Sequence, residues 1–239
     1  YEACVQVLYA ELGVMPAPET EALLRRIEAD ELGTTAASEP TGAQAGPEGP
    51  RHNLPVQGTA FVGRESEVQR LRELLLDPVQ RLVTLTGPGG VGKTRLAVAA
   101  AASLADALAD GVCFVALVGV DDAGGLVGAM AAALGYTFVA TGEPQQQLLD
   151  YLRSRELLIV LDNFEQLMAA TGIVQAVIER APRVKLLVTS RERLRLQSEM
   201  PLPVTGLPAP PASDDLDAAA RSFSSVQLFA ARATRSSPA

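Results

Sequence analysis

The chain has 239 residues, 48% of them hydrophobic, which suits one α/β domain of ordinary size with a small additional segment. No run of eighteen or more apolar residues is free of charge, so the sequence predicts no transmembrane helix and no membrane partner. The formal net charge is −8 at pH 7 without a long basic run, which argues against direct nucleic-acid contact by this chain.

The chain opens with two predicted helices. Apolar residues recur at helical spacing within residues 1–12, and a second helix with its own apolar stripe follows Pro18. A short helical hairpin cannot bury its own stripes, so we interpret residues 1–31 as the end of a larger helical array. Because the sequence begins at Tyr1 within a helical pattern, we expect it to be a segment of a longer protein.

A change of composition marks a domain boundary. From residue 32 to residue 56, Ala, Gly, Pro, Thr and Ser dominate and the hydrophobic periodicity disappears, which predicts a flexible linker. The single histidine, His52, lies in this stretch, and we interpret it as a solvated linker residue rather than a catalyst. Cys4 and Cys113 are isolated thiols, which predicts neither a metal site nor a disulfide and indicates a reducing, cytoplasmic location.

Residues 57–206 alternate between apolar strands and helices, which predicts an α/β fold with a parallel sheet covered on both faces. The predicted strands cover residues 81–86, 112–118, 157–161 and 184–189, with a further strand at 200–204 that its prolines limit. The predicted helices cover residues 64–76, 92–109, 123–134, 144–154 and 164–180. Residues 207–239 form a predicted connector that leads into a helix over residues 222–233.

A glycine-rich loop follows the first strand. Residues 87–94 match the phosphate-loop pattern Gly-x-x-x-x-Gly-Lys-[Ser/Thr] in the strand–loop–helix setting that the pattern requires. Glycines let backbone N–H groups surround phosphate oxygens, and the following helix points its positive end at the same anion. Lys93 is expected to bind the β- and γ-phosphates and Thr94 to offer its hydroxyl to Mg²⁺. The chain has only one other lysine, Lys185, which argues against chance placement of Lys93.

Two acidic residues follow the apolar strand at residues 157–161. Asp162 would lie beside the phosphate loop at the carboxyl end of the sheet, where it could hold Mg²⁺, although Asp162 or Asn163 could also cap the next helix. Glu165 is the nearest further acid and a candidate for orienting the attacking water. A glutamate in the first turn of a helix is an equally good interpretation of Glu165.

Two further segments are candidates for nucleotide contact. Arg191 follows the strand at residues 184–189 and could read the γ-phosphate bidentately, or belong to a solvated loop with the arginines after it. In residues 61–65, Gly63 would let the backbone approach a flat base and Val62 could pack on that base. The alternative is an ordinary helix start with Phe61 as a hydrophobic staple.

In this order the motifs resemble a STAND-class P-loop ATPase of the NB-ARC-like type, over nearly all of residues 53–233. The quoted motifs are Phe-Val-Gly-Arg-Glu at 61–65, the phosphate loop at 86–94, Leu-Asp-Asn at 161–163 and Thr-Ser-Arg-Glu at 189–192. The resemblance implies a three-layer P-loop NTPase fold with ATP or ADP and Mg²⁺ as cofactors. The implied nucleotide contacts are Val62, Gly63, Arg64, Gly87, Pro88, Gly89, Gly90, Val91, Gly92, Lys93, Thr94, Arg95 and, in a stretch that resembles the family's base-proximal proline segment, Pro208.

Residues 1–30 are similar to the end of a bacterial transcriptional activator domain, and residues 226–233 resemble the start of the family's helical lid. Together these resemblances imply a large bacterial transcriptional regulator in which a separate winged-helix domain binds DNA. The implied partners are nucleotide, the lid and sensor domains of the same chain, and a second copy in the ATP state. Asn163 follows Asp162 where many hydrolytic relatives have a second acid, so nucleotide binding with slow hydrolysis is expected.

The leading interpretation is therefore a signalling switch that alternates between ATP and ADP. An actively hydrolysing P-loop ATPase or kinase, not tied to transcription, is the alternative, and it would need a clear water-orienting acid and a substrate site. A structural module with a vestigial loop is a third possibility. Bound nucleotide in the purified protein discriminates against the third, and turnover separates the first two.

Overall fold

The computed structural model describes residues 52–57, 61–210 and 223–236. The predicted hairpin of residues 1–31, the predicted linker before residue 52 and residues 211–222 of the connector lie outside these described ranges. The elements in chain order are α1 (Glu65–Leu76), β1 (Leu82–Thr86), α2 (Lys93–Ala102), β2 (Val112–Ala116), α3 (Ala123–Ala133), α4 (Pro144–Leu152), β3 (Leu158–Asp162), α5 (Thr171–Arg180), β4 (Lys185–Ser190), β5 (Glu199–Pro203) and α6 (Ser224–Ser236).

The five strands form one parallel sheet in the order β2-β3-β4-β1-β5. Strand β4 lies between β1 and β3, although it follows both of them in the chain. Because the strands are parallel, the residues after β1, β3 and β4 gather at one edge of the sheet. This topology brings the phosphate loop, Asp162 and Arg191 to the same edge.

Side chains alternate between the two faces along each strand, as the period of an extended chain requires. In β3, Leu158 and Val160 pack against the face covered by α1 and α2, whereas Ile159 and Leu161 pack against the face covered by α3, α4 and α5. Both faces are buried, which explains why the strand sequences are continuously apolar. The predicted α/β fold with a parallel sheet and three layers is confirmed.

Helix α2 is shorter than the sequence pattern predicts. The apolar pattern of residues 92–109 predicts one long helix, but α2 ends at Ala102 and turns follow. The Ser103 hydroxyl donates to the carbonyl of Ala100 over 2.7 Å, so it competes with the helical backbone bonds at this point. Leu104 and Leu108 remain buried beyond the helix end, which is why the periodicity in the sequence continues.

The chain after β3 does not enter a helix directly, although one helix was predicted over residues 164–180. Asn163 adopts a left-handed conformation with φ 66°, and two short 3₁₀ turns, Phe164–Gln166 and Met168–Ala170, precede α5. Phe164 is fully buried and anchors the first turn in the core. This path places Glu165 in a 3₁₀ turn close to the carboxyl end of the sheet.

Residues 52–57 lie against the β2 edge of the sheet, although their composition placed residues up to 56 in the linker. His52 forms an isolated parallel β-bridge with Val112 and is exposed to solvent. The side-chain amide of Asn53 donates to the carbonyl of Phe114 over 2.9 Å and accepts the N–H of Phe114 over 2.5 Å. Gln57 donates to the carbonyl of Arg95 in the first turn of α2 over 3.2 Å, so the segment reaches from the sheet edge to the phosphate-loop helix.

None of the helices in the described part of the chain has the length and apolar character that a membrane crossing requires. Cys113 lies in β2 as a free, buried thiol, and burial raises its pKa to about 12. A thiol with so high a pKa is an unreactive core residue at neutral pH, which agrees with the interpretation of Cys113 as an isolated thiol.

Candidate functional site

The phosphate loop connects β1 to α2 as the motif predicts. Gly92 precedes the helix in a left-handed conformation with φ 97°, and no side chain caps the first turn of α2. A Cβ atom on Gly87 would lie 2.5 Å from the carbonyl oxygen of Val204, so only glycine fits at the start of the loop. The uncapped N–H groups of the first turn of α2, together with the positive end of the helix, suit an anion such as phosphate.

Lys93 is folded back over this loop. Its Nζ donates to the carbonyl of Gly87 over 2.8 Å and to that of Pro88 over 3.0 Å, and the residue is buried. The ammonium group therefore already lies above the loop, held by two neutral acceptors. Phosphate oxygens are charged acceptors and make stronger hydrogen bonds than carbonyls do, so they can take the place of these bonds.

Asp162 ends β3 and accepts two hydroxyl groups on the same oxygen. Thr94 donates to Oδ1 over 2.8 Å from the first turn of α2, and Thr189 donates to Oδ1 over 2.6 Å from β4. Asp162 is only 7% exposed. The sequence predicted that Thr94 and Asp162 lie close together, but it did not predict the hydrogen bond from Thr189 to Asp162.

The residues at this point fit a hard divalent cation. Carboxylate and hydroxyl oxygens are the ligands that Mg²⁺ prefers, and Thr94 keeps its lone pairs for a cation while its proton binds Asp162. Within the described residues, no cluster of three or more His, Cys, Asp or Glu side chains could hold a metal alone. The Thr94 hydroxyl and the Asp162 carboxylate suit Mg²⁺, which usually takes one or two carboxylates together with phosphate oxygens and water.

Arg191 lies at the mouth of the loop, as predicted from its place after β4. Its Nε lies 3.2 Å from Oε1 of Glu165, and a Cβ atom on Gly89 would lie 3.8 Å from its terminal nitrogen. The Arg191 side chain is 68% exposed and the Glu165 side chain 17% exposed. The second oxygen of Glu165, Oε2, is buried without a hydrogen-bond partner in the structure. The two residues proposed for catalysis therefore form an ion pair beside the phosphate loop.

A cavity of about 340 Å³ adjoins the other side of the phosphate loop. The residues that line it come from the segment before α1, the loop and α2, the segment after β5, and α6: Phe61, Val62, Arg64, Gly90, Val91, Gly92, Arg95, Gly206, Leu207, Ser225 and Leu228. Its volume and apolar walls are typical of a site for a flat organic group. Six of the implied nucleotide contacts border it: Val62, Arg64, Gly90, Val91, Gly92 and Arg95.

Three residues expected near the base make other contacts. Arg64 donates to the carbonyls of Val91 over 3.0 Å and Thr205 over 2.6 Å, so it joins the loop to the segment after β5. Gly63, with φ 77°, faces Ser224 of α6, whose Cβ would lie 2.1 Å from an added Cβ. Pro208 is not part of the cavity lining, and its carbonyl accepts the Ser225 hydroxyl over 2.7 Å.

Several lining residues were missed by sequence reasoning. Phe61 opens the Phe-Val-Gly-Arg-Glu segment, with a helix staple as the alternative interpretation, but it was not among the individual contacts predicted. It borders the cavity, with the Arg95 guanidinium 6.0 Å from its ring centre. Leu207 borders the cavity instead of its neighbour Pro208. Ser225 and Leu228 come from α6, more than 130 residues after the loop, and no local pattern in the sequence marks them.

Comparison with known proteins identifies this arrangement. The family model described as "NB-ARC domain" matches residues 64–199, more than half of the chain. The chain belongs to the NB-ARC family. The motif-based resemblance to a STAND-class P-loop ATPase is therefore confirmed.

Relatives of this NB-ARC domain include named regulators. A "Putative HTH-type transcriptional regulator" of Mycobacterium tuberculosis is 36% identical over 159 residues, which are 66% of this chain and 16% of the relative. The regulatory protein AfsR of Streptomyces griseus is 33% identical over 201 residues, 79% of this chain and 20% of AfsR. The chain thus spans about one fifth or less of the length of these relatives.

Solved structures similar to this NB-ARC domain include an ORC2 protein and a STAND protein. The ORC2 protein of Aeropyrum pernix in its ADP form has a TM-score of 0.47 at 17% identity, over 64% of this chain and 51% of that one. A STAND protein with a tetratricopeptide repeat sensor from Pyrococcus horikoshii has a TM-score of 0.43 at 19% identity, over 65% of this chain and 24% of that one.

Proposed function

We propose that this NB-ARC domain binds ATP and ADP with Mg²⁺ and serves as a slowly hydrolysing switch in a bacterial transcriptional regulator. One observation carries the proposal. The single loop at residues 87–94 borders the cavity on one side and approaches Asp162 through Thr94 on the other. A nucleotide needs these two environments next to each other, because its base is flat and largely apolar while its phosphates are anionic and bind metal.

In this proposal the base occupies the cavity and the phosphates lie against the loop. Phe61, Val62 and Leu207 offer apolar surface to the base. Lys93 exchanges its bonds to the Gly87 and Pro88 carbonyls for bonds to phosphate oxygens. Mg²⁺, held by Thr94 and Asp162, would supply charge neutralisation at the phosphates.

Slow hydrolysis is supported by the ion pair between Glu165 and Arg191. Orienting an attacking water requires an accessible acceptor. In this arrangement Oε1 of Glu165 accepts from Arg191, and Oε2, although it has no partner, is buried away from solvent. A misplaced or missing catalytic group reduces turnover by about 10³-fold or more. The geometry therefore favours retention of the nucleotide over rapid turnover, as a switch requires and an active ATPase or kinase does not.

The regulatory part of the proposal rests on the relatives. Relatives named as transcriptional regulators share this region at 33–36% identity, so we propose that the switch state controls the activity of a longer protein. Contact with DNA would be made by another domain of that protein, since this chain carries a net charge of −8. A cytoplasmic location and self-association in the ATP state belong to the same proposal.

A pair of lysine variants tests nucleotide binding. Lys93→Ala should weaken ADP and ATP binding in titration calorimetry by about 2–3 kcal/mol, the scale of a charge-assisted contact. Lys185→Ala is the matched control, because Lys185 is the only other lysine and its Nζ binds the carbonyls of Asp77 and Gln80 at the opposite end of β4. Equal affinities for the wild type and Lys93→Ala would refute the assignment. Mass analysis of nucleotide released from gently purified protein identifies the base.

A further inference from the structure

Thr189 lies at the centre of the hydrogen bonds around Asp162, although none of the motif assignments gives it a task. It is the penultimate residue of β4 and is 1% exposed. Its hydroxyl donates to Oδ1 of Asp162 over 2.6 Å and accepts the N–H of Asn163 over 3.0 Å. One hydroxyl group thus binds the side chain of one residue and the backbone of the next.

The sheet register explains why this contact is needed. Pairing between β3 and β4 ends at Leu161 and Val188, so Asp162 and Thr189 lie one step beyond the last pair. The chain turns away at Asn163, which adopts the left-handed conformation that asparagine tolerates better than most residues other than glycine. The Thr189 hydroxyl continues the connection between the strands where the backbone ladder has stopped.

Thr94 and Thr189 hold the same carboxylate oxygen but differ in their freedom. Thr94 is half-buried in the first turn of α2, where its lone pairs can face a cation. Thr189 is enclosed between β1 and β3, and its hydroxyl accepts the Asn163 N–H while it donates to Asp162. Thr189 therefore fixes Asp162 from the strand side, independently of whatever occupies the phosphate loop.

We propose that Thr189 is a positioning residue for the metal-binding carboxylate, and that the gain in nucleotide affinity produced by Mg²⁺ depends on its hydroxyl. The inference rests on the proposed function, since it concerns the Mg²⁺ that would accompany the nucleotide. Residues that orient a metal ligand by hydrogen bonding commonly contribute about 10- to 100-fold to metal affinity. Thr189 would act entirely through Asp162 and would touch neither nucleotide nor metal.

The test measures ADP affinity by titration calorimetry, once with Mg²⁺ and once with EDTA. Thr189→Val keeps the shape of the side chain and removes the hydroxyl. The ratio of the ADP affinity in Mg²⁺ to the ADP affinity in EDTA should be about 10- to 100-fold smaller in this variant than in the wild type. Its affinity for ADP in EDTA should stay unchanged, because Lys93 and the loop N–H groups are untouched. Thr189→Ser restores the hydroxyl and should restore the effect of Mg²⁺.

Thr84→Val provides a matched control in the neighbouring strand. Thr84 is fully buried in β1 beside Val188, and its hydroxyl has no hydrogen-bond partner in the structure. The same chemical change there removes no contact, so Thr84→Val should respond to Mg²⁺ as the wild type does.

The outcomes separate the possible failures. A Thr189→Val variant that responds to Mg²⁺ as fully as Thr84→Val does would overturn the inference. The inference would also be overturned if Thr189→Val lost as much ADP affinity in EDTA as in Mg²⁺, or if Thr189→Ser were as impaired as Thr189→Val. Either result would indicate a general distortion of the site. Wild-type protein that binds no nucleotide in either buffer would instead refute the proposed function.

Discussion

The guanidinium of Arg191 donates from Nε to Oε1 of Glu165 over 3.2 Å, at the mouth of the phosphate loop. The pair is unequal, since the arginine is largely exposed and the glutamate largely buried. The exposed guanidinium is screened by water, and pairs screened in this way contribute only about 0–1 kcal/mol to stability, so Arg191 can exchange partners. A γ-phosphate could therefore compete with Glu165 for Arg191.

Arg191→Ala should lower the affinity for ATP and leave the affinity for ADP nearly unchanged. The loss for ATP should be about tenfold or more, because a hydrogen bond to a charged group contributes about 1.5–3 kcal/mol. ADP lacks the γ-phosphate and should not respond. Arg193→Ala, an exposed arginine two residues later, is the control, and both affinities come from titration with non-hydrolysable ATP and with ADP. An equal loss for ATP and ADP would contradict the reading of Arg191 as a γ-phosphate sensor.

Glu165→Gln should change ATP turnover only modestly and leave nucleotide binding nearly unaltered. The amide keeps the shape of the side chain but removes the charge that Arg191 binds. Turnover of the wild type should already be far below about 1 s⁻¹, the low end of ordinary enzymes. Phosphate release under single-turnover conditions with excess protein measures both rates. Release at several per second that is abolished in Glu165→Gln would establish a true ATPase.

Gly63→Ala should destabilise the contact between the segment before α1 and α6. The left-handed conformation at φ 77° costs a non-glycine residue about 1–3 kcal/mol, and the new methyl would overlap Ser224. Ser224→Gly in the same protein should remove the overlap and leave the strain, which predicts a partial rescue. Gly128→Ala, in α3 with open space around it, should instead stabilise by about 0.5–1 kcal/mol. Urea unfolding of the four proteins measures these differences, and equal effects at Gly63 and Gly128 would be contrary to expectation.

Asn53→Ala should speed hydrogen exchange at the amide of Phe114. The Asn53 side chain is the acceptor of that N–H and the donor to the carbonyl of the same residue. Val56→Ala is the control within the same segment, because Val56 is 97% exposed. Exchange followed by mass spectrometry should show faster labelling of β2 only in Asn53→Ala. Unchanged labelling in both variants would show that the edge does not depend on Asn53.

The sequence located the parts of the site that are encoded locally. Lys93, Thr94 and the loop glycines belong to one continuous motif, and Asp162 is marked by the apolar strand before it. Arg191 was placed at the mouth of the sheet because parallel strands gather their carboxyl ends. These inferences need only the order of elements along the chain.

The remaining parts depend on the order of strands in space. Thr189 contacts Asp162 because β4 lies between β1 and β3, and a sequence of apolar strands does not state that order. Ser225 and Leu228 line the cavity because α6 returns to the loop from far along the chain. The left-handed turn at Asn163 was hidden as well, since a helix was predicted directly after β3.

The two outer strands limit how copies of this domain can associate. The N–H of Val204, just after β5, donates to the carbonyl of Thr86 in β1. Along a strand, backbone N–H groups alternate in direction, so those of residues 201 and 203 would point away from β1, towards an incoming strand. Both positions are proline, which has no N–H to donate. On β2, the side-chain amide of Asn53 occupies the N–H and carbonyl of Phe114 as a peptide unit would. An incoming strand would therefore find too few free donors at one edge and a covered position at the other. Within the described sheet, neither outer strand thus favours edge-to-edge strand pairing between copies of this domain.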